Sequence, residues 1–198
     1  MSFIPKVLII AGSDSGGGAG IQADIKTTSY FNGYAMTAIT AITAQNTIGV
    51  QSIYPLPKEI VMEQINSITT DLSPDIVKIG MLADLDIIEY ISKKISNYKI
   101  VLDPVMVATS GDVLVSDEVV SSIKNNLINK SFLITPNIYE AEILSENKIN
   151  CLEDQIEAGK NLLKLGCKHV LVKGGHGNSD VINDVLITSS GDEYIFES

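Results

Sequence analysis

Polar and glycine residues stand directly after most of the apolar, β-rich runs of this sequence. The first run is followed by residues 12–20, GSDSGGGAG, and later runs by Gln45 and Asn46, Gly80 and Met81, Asp103 and Pro104, Thr135 with Asn137 and Glu140, and the segment from Lys173 to His176. In open parallel α/β sheets, ligands bind outside the carboxyl ends of the strands. The sequence therefore predicts a single small-ligand site at one edge of a sheet.

The glycine-rich segment 12–20 carries no complete nucleotide-binding motif. It lacks the GK[ST] ending of a phosphate-cradling loop and the GxGxxG spacing of a dinucleotide-binding fold. What it offers is a permissive backbone around Asp14, in which Gly16, Gly17 and Gly18 would let the chain approach a ligand closely or move as a flap. The alternative is a plain strand-to-helix turn.

Three other segments could bring charge to such a site, and each has a structural alternative. Asn137 and Glu140 have the spacing of a capping box at a helix start, and the same pair could hold Mg²⁺ through water. Lys173, ahead of two glycines and His176, is a candidate contact for nucleotide phosphate or part of a solvated loop. Asp103, which precedes a proline, could orient a metal or a water molecule, or simply begin a turn.

An alternation of short strands and amphipathic helices must position these segments. Predicted strands cover residues 6–11, 35–44, 48–54, 75–81, 99–102, 132–135 and 169–173, with a hairpin over 181–187 and 193–196. Predicted helices cover residues 20–31, 57–72, 116–127 and 152–165, with two more after the N-cap residue Asp84 and from Ile138. This alternation predicts an α/β fold with a mainly parallel sheet and helices on both faces.

The composition narrows the classes of protein. We expect the 198 residues to form one domain, 1–198, and the net charge of -10 with a pI near 4.6 argues against nucleic acid as a partner. The two cysteines, Cys151 and Cys167, have no close pairing or CxxC spacing, which fits a reducing, cytoplasmic compartment. Residues 27–57 carry no charge, but polar residues and prolines interrupt them, which predicts a buried sheet region and no membrane partner.

Seven motifs occur in order along the chain: GSDSGGGAGIQADIKT, TAQNT, VKIGML, VLDPVM, TSGD, ITPNIYEAEIL and VKGGH. Together they closely resemble the bacterial hydroxymethylpyrimidine/phosphomethylpyrimidine kinases of thiamine synthesis, and the resemblance spans essentially the whole chain. It implies a ribokinase-like three-layer α/β/α architecture and a homodimer. It also implies two phosphoryl transfers from MgATP, first to the hydroxymethyl group of the pyrimidine and then to the resulting monophosphate.

The resemblance implies roles for individual residues at the substrate end of the site. Carried over by position, the substrate-binding residues are Gln45, Asp24, Gly12, Met81 and Val107. Gln45 would hydrogen-bond the aminopyrimidine, since a side-chain amide can both accept from an exocyclic amine and donate to a ring nitrogen. Met81 would lie against the ring, where a flexible thioether packs well.

At the nucleotide end, the resemblance implies that Asn137, Glu140, Thr135 and Lys173 bind ATP. Glu140 and Asn137 would also hold Mg²⁺, directly or through water, and Lys173 would offset phosphate charge. Asp103 and Lys173 would support catalysis, which in phosphoryl transfer rests mainly on positioning and electrostatic stabilisation.

The resemblance further implies a Gly-Thr-Gly-Cys segment that opens a helix and supplies the anion hole and the base. This segment does not occur before Ser198, so we expect a chain incomplete at its C-terminus, whose own activity is open. The alternatives are a pyridoxal kinase of the same family and a non-catalytic module that binds the pyrimidine or nucleotide. A flavodoxin-like protein is a further alternative.

Overall fold

A computed structural model describes residues 3–106, 115–175 and 181–198 of the chain. The strands within these residues are β1 (Lys6–Asp14), β2 (Tyr34–Gln45), β3 (Val50–Pro55), β4 (Ile76–Ile79), β5 (Lys99–Leu102), β6 (Leu133–Ile134), β7 (His169–Val172), β8 (Asn183–Ile187) and β9 (Glu193–Glu197). The α-helices are α1 (Gly20–Tyr30), α2 (Lys58–Asp71), α3 (Leu85–Lys94), α4 (Asp117–Asn126), α5 (Ile138–Ser145) and α6 (Leu152–Leu163), and Ile128–Lys130 form a 3-10 turn.

The strands form one sheet in the order β3-β2-β1-β4-β5-β6-β7-β8-β9. The central block from β2 to β7 is parallel, whereas β3 at one edge and β8 and β9 at the other are antiparallel to their neighbours. The carboxyl ends of all six parallel strands therefore lie at the same edge of the sheet. The predicted α/β class with a mainly parallel sheet is confirmed.

The alternation of side chains along the strands divides the core between the two faces of the sheet. Leu8 and Ile10 of β1 belong to the main core, which contains buried residues of the helices α2 to α6. Ile9 and Ala11 point the other way and pack with Ile21 of α1. The predicted helices on both faces are present, with α1 alone on its side among the residues that the structure describes.

Most predicted elements are found close to their expected positions, because their hydrophobic periodicity is strong. Asp84 caps α3 by accepting a hydrogen bond of 3.0 Å from the backbone N–H of Ile87, as predicted. Three strands differ clearly. β1 continues to Asp14, since its pairing with β2 resumes after an irregularity between Ala11 and Ser13. β4 is shorter than the predicted 75–81, and β6 is only two residues long.

The prediction that residues 27–57 form a buried sheet region is correct for much of β2 and wrong for β3. β3 is an edge strand whose side chains are mostly exposed, including Tyr54. The absence of charge misled the interpretation, since an antiparallel edge strand needs no helix on either side. In the described residues, every helix is too short or too polar to cross a membrane.

Candidate active site

A cavity of about 340 Å³ lies where the parallel strands end. Its lining includes most of the predicted site residues: Gly12, Asp24, Gln45, Met81, Asp103, Asn137, Glu140 and Lys173. The predicted convergence of the strand-end segments on one edge is thus observed. Thr135 lies behind this lining and contacts Asp103, whereas Val107, the TSGD motif and His176 fall outside the described residues.

The glycine-rich segment wraps around the carboxylate of Asp14. Asp14 Oδ1 accepts a 2.7 Å hydrogen bond from the N–H of Gly16, and Oδ2 accepts bonds of 2.9 and 2.8 Å from those of Gly18 and Ala19. Burial raises the pKa of Asp14, but these N–H donors together lower it by more than burial raises it. The net pKa therefore lies below its ordinary value. Asp14 is therefore ionised, and its hydrogen bonds hold the glycine-rich segment in place just before α1.

Gln45 ends β2 at one side of the cavity, and two hydroxyl groups hold it. Ser15 Oγ accepts a 2.8 Å hydrogen bond from the Gln45 N–H and donates one of 2.8 Å to the Gln45 carbonyl oxygen, which joins the glycine-rich segment to β2. The buried Thr43 Oγ1 lies 3.2 Å from Gln45 Oε1 and 2.9 Å from Ser13 O. The Thr43 hydroxyl has one proton for these two acceptors, so the backbone of Gln45 is held more firmly than its side-chain amide at the cavity wall.

Met81 and Gly12 come into close contact at the same end. A Cβ atom added to Gly12 would lie 3.1 Å from the Met81 Cε, so the thioether occupies the space that a larger residue at position 12 would need. The Thr40 hydroxyl donates a 2.9 Å hydrogen bond to the Met81 carbonyl oxygen and fixes the backbone after β4. Together with Gln45, this end offers an apolar surface and an amide, which suit a flat polar heterocycle.

A half-buried ion pair joins α1 to β4 beside these residues. Lys78 Nζ lies 2.7 Å from Asp24 Oδ2, and each side chain is 22% exposed. Both residues line the cavity. Asp24 therefore already has a cationic partner, Lys78, at the cavity wall.

Asp103 and Lys173 form a second ion pair on the far side of the cavity. Lys173 Nζ lies 2.9 Å from Asp103 Oδ1, and the Thr135 hydroxyl donates a 3.0 Å hydrogen bond to the same oxygen. Asp103 directly follows β5, and the Lys173 N–H donates a 2.8 Å hydrogen bond to the Pro136 carbonyl oxygen at the end of β6. Three adjacent strands thus bring together residues that are far apart in sequence.

Glu140 is a buried carboxylate at the start of α5, where it completes the predicted capping box with Asn137. The Asn137 Oδ1 accepts a 2.9 Å hydrogen bond from the Glu140 N–H, and Glu140 Oε2 accepts one of 2.9 Å from the Asn137 N–H. Burial raises the pKa of Glu140 from 4.5 to about 7, the Asn137 N–H opposes the rise, and the negative Asp103 adds to it. The pKa of Glu140 therefore lies well above the ordinary range of a carboxyl group.

The side-chain oxygens of Glu140 and Asn137 can contact Mg²⁺ in only one way. No group of three or more His, Cys, Asp or Glu side chains in the described parts of the chain could form a metal cage. The oxygens of Glu140 and Asn137 already accept the capping-box hydrogen bonds, although a carboxylate retains further lone pairs. These residues therefore suit a Mg²⁺ ion that nucleotide phosphates hold and that the protein contacts through water.

Lys78, Thr43 and Ser15 were not predicted as site residues from the sequence. Lys78 had a detectable signal, because it is the only charged residue of β4 and stands two residues before Gly80. Thr43 and Ser15 had none, since a hydroxyl-bearing residue near a strand end is common.

Comparison with known proteins relates this geometry to one family. The model of the phosphomethylpyrimidine kinase family matches residues 14–198. The hydroxymethylpyrimidine/phosphomethylpyrimidine kinase of Bacillus subtilis is 49% identical over 191 residues, which cover 94% of this chain and 70% of that protein. A crystal structure of phosphomethylpyrimidine kinase from Clostridium difficile has a TM-score of 0.89 at 42% identity, covering 99% of this chain and 85% of the other. An ADP complex of B. subtilis pyridoxal kinase has a TM-score of 0.89 at 36% identity, covering 99% and 76%.

The sheet order, the cavity at the strand ends and the structural likenesses define a small-molecule kinase with the ribokinase-like α/β fold. The resemblance carried by the seven sequence motifs is confirmed. The chain belongs to the phosphomethylpyrimidine kinase family.

Proposed function

We propose that this protein transfers the γ-phosphoryl group of ATP to 4-amino-5-hydroxymethyl-2-methylpyrimidine and then to its monophosphate, in thiamine biosynthesis. The observation that carries the proposal is a single cavity with the Gln45 amide at one end and the Asp103–Lys173 pair at the other. Relatives that are 49% and 43% identical bear the name of this kinase and support the assignment.

The ring-binding end is made of Gln45, Asp24, Met81 and the backbone of Gly12. The Gln45 amide accepts from the exocyclic amine or donates to a ring nitrogen, and the Asp24 carboxylate accepts from a further N–H. Met81 packs against the ring face. These contacts orient the hydroxymethyl group toward the rest of the cavity.

The transfer itself needs orientation and compensation of charge. In the first reaction, the hydroxyl oxygen bonds to the γ-phosphorus while the bond from that phosphorus to the ADP oxygen breaks and the hydroxyl proton is released. Lys173 offsets negative charge on the phosphates, and Asp103, held by Thr135, fixes the position of the Lys173 ammonium group. Glu140 and Asn137 would contact Mg²⁺ through water, and the ion would supply further charge neutralisation.

The same proposal includes a homodimer. Apolar residues along the β2–β3 edge are exposed, among them Ile42 at 49%, Ile48 at 87% and Tyr54 at 64%. Such an edge strand is a natural place for association. Sedimentation equilibrium would test this point.

The deciding experiment measures ADP formation with the hydroxymethylpyrimidine and pyridoxal as parallel substrates, alongside calorimetric binding of each. Pyridoxal is included because solved pyridoxal kinases at 32–36% identity share the fold. Selective binding and phosphorylation of the pyrimidine would support the proposal. Selective turnover of pyridoxal would replace it with the alternative, and pyrimidine binding without ADP formation would favour a non-catalytic module. Binding of neither heterocycle by folded protein would contradict the proposal.

A further inference from the structure

Lys78 has a place in the cavity that the first phosphorylation does not explain. It lies on β4, where Val77 and Ile79 point into the main core, and its side chain points to the opposite face toward α1. Its ammonium group is only partly exposed and is bound to Asp24. A lysine that served only to join a helix to the sheet would not need to line a ligand cavity.

The space around the ammonium group is kept open by Gly80. A Cβ atom added to Gly80 would lie 3.2 Å from Lys78 Nζ and 3.0 Å from the Ala11 Cβ. The strand order places β4 between β1 and β2, which carry Gly12 and Gln45 of the ring-binding end, and β5, which leads to Asp103. Lys78 therefore stands between the ring-binding end and the transfer end.

The second phosphorylation poses a charge problem that the first does not. Its acceptor is a phosphate group, yet the cavity is lined by four acidic residues, Asp14, Asp24, Asp103 and Glu140. The cations in the described lining are Lys78 and Lys173, and Lys173 is paired with Asp103 at the far side. An anionic acceptor needs a cation close to the ring-binding end to offset repulsion.

We propose that Lys78 binds the phosphate of the monophosphate substrate and exchanges its contact with Asp24 for that phosphate. This inference rests on the proposed function and deepens it. With the uncharged alcohol bound, Lys78 stays on Asp24. With the monophosphate bound, the ammonium group donates to phosphate oxygens, and Asp24 remains free to accept from the ring. Lys78 then supplies the positive charge that allows the monophosphate to bind.

The test compares equilibrium binding of the two pyrimidines, alcohol and monophosphate, by titration calorimetry. Lys78→Gln should weaken monophosphate binding about tenfold while changing alcohol binding by less than about threefold. Lys78→Arg should restore most of the lost affinity, because it keeps the charge. Asp24→Asn should raise the ratio of monophosphate to alcohol affinity, since Lys78 no longer has to leave a carboxylate. Lys124→Gln, at a pair with Glu146 away from the cavity, is the matched control.

The outcomes separate this inference from the proposed function. Equal weakening of both ligands by Lys78→Gln would mean that the pair only joins α1 to β4, and no change in either would mean that Lys78 does not contact the phosphate. Both results overturn the inference and leave the kinase proposal standing. Wild-type protein that binds the alcohol but not the monophosphate also overturns it. Wild-type protein that binds neither contradicts the proposed function and the inference together.

Discussion

Glu140 is 2% exposed, and its pKa is raised to about 7. Its carboxylate is held by the Asn137 N–H at 2.9 Å and by the Met106 N–H at 3.3 Å, two donors that favour the charged form. Burial works against that form and prevails. The residue that caps α5 is thus also poised to change charge near neutral pH.

This shift predicts how stability depends on pH. Because the pKa of Glu140 is about 7 in the folded chain and 4.5 ordinarily, the folded state keeps a proton that the unfolded state has lost. The stabilisation of the folded state by this proton is fully present below pH 4.5 and is lost as the pH rises through 7. Its loss lowers the free energy of unfolding by about 3 kcal/mol. Glu140→Gln should remove this slope in urea denaturation between pH 4.5 and 7.

The control for that measurement is Glu146→Gln. Glu146 is 78% exposed, and its bond to Lys124 lowers its pKa, so it titrates below this pH window. Its substitution should leave the slope as in the wild type. A slope that persists unchanged in Glu140→Gln would show that another group is responsible.

Gln45 allows a direct test of the ring-binding end. Gln45→Ala should weaken pyrimidine binding about tenfold, because a ligand donor or acceptor is left unpaired, and should change ATP binding by less than about twofold. Calorimetry with each ligand measures both. Gln51→Ala on the exposed β3 is the matched control. Equal loss of both ligands, or of neither, would count against the assignment.

At the scale of the element, the junction from β1 through the glycine-rich segment to α1 sets the geometry of the ring-binding end. Gly20 begins α1 with a φ of +54°, a conformation that side chains rarely adopt. A Cβ atom there would lie 2.4 Å from the Gly12 carbonyl oxygen. The helix start and the backbone of Gly12, which lines the cavity, are therefore packed directly on each other.

Gly20→Ala should consequently cost about 1–3 kcal/mol of stability and also displace Gly12. We expect a lower thermal midpoint and weaker pyrimidine binding in the same variant. Gly49→Ala is the control, since its Cβ would meet nothing closer than the Gln51 side chain at 4.0 Å. If Gly20→Ala retained both stability and affinity, the close contact between the start of α1 and β1 would not be present in solution.

At the scale of the whole molecule, the main core extends along one face of the sheet from β1 to β7. Leu8 of β1, Leu102 of β5 and Val172 of β7 belong to the same buried cluster. Gln155 of α6 adds a buried bridge, donating hydrogen bonds of 3.0 and 2.8 Å to the carbonyl oxygens of Val172 and Asn183. We propose that the chain folds as one domain.

Leu102→Ala tests that proposal. Leu102 is fully buried in the middle of the sheet, and its truncation should cost about 2–5 kcal/mol. Because one domain unfolds cooperatively, circular dichroism and tyrosine fluorescence should shift together in urea. Leu85→Ala, at a site that is 44% exposed, should shift neither by much. Separate transitions for the two probes would contradict a single cooperative unit.

The sequence by itself determined the order and type of most elements, the capping box at Asn137 and Glu140, and the strand ends at which site residues stand. These features depend on local periodicity and on residues a few positions apart, so the family motifs and the α/β class could be predicted. The exposure of β3 could not, because burial of a strand depends on which elements cover it.

Only the tertiary structure decided the pairing of charges in the cavity. Asp24 and Lys78 are 54 residues apart, and Asp103 and Lys173 are 70 apart. Their contacts follow from the order β2-β1-β4-β5-β6-β7, which no local pattern encodes. The raised pKa of Glu140 has the same origin, since burial by distant segments sets it. The local sequence thus determines which chemical groups stand at the strand ends. Long-range packing determines which groups pair with each other and how far the pKa of Glu140 rises.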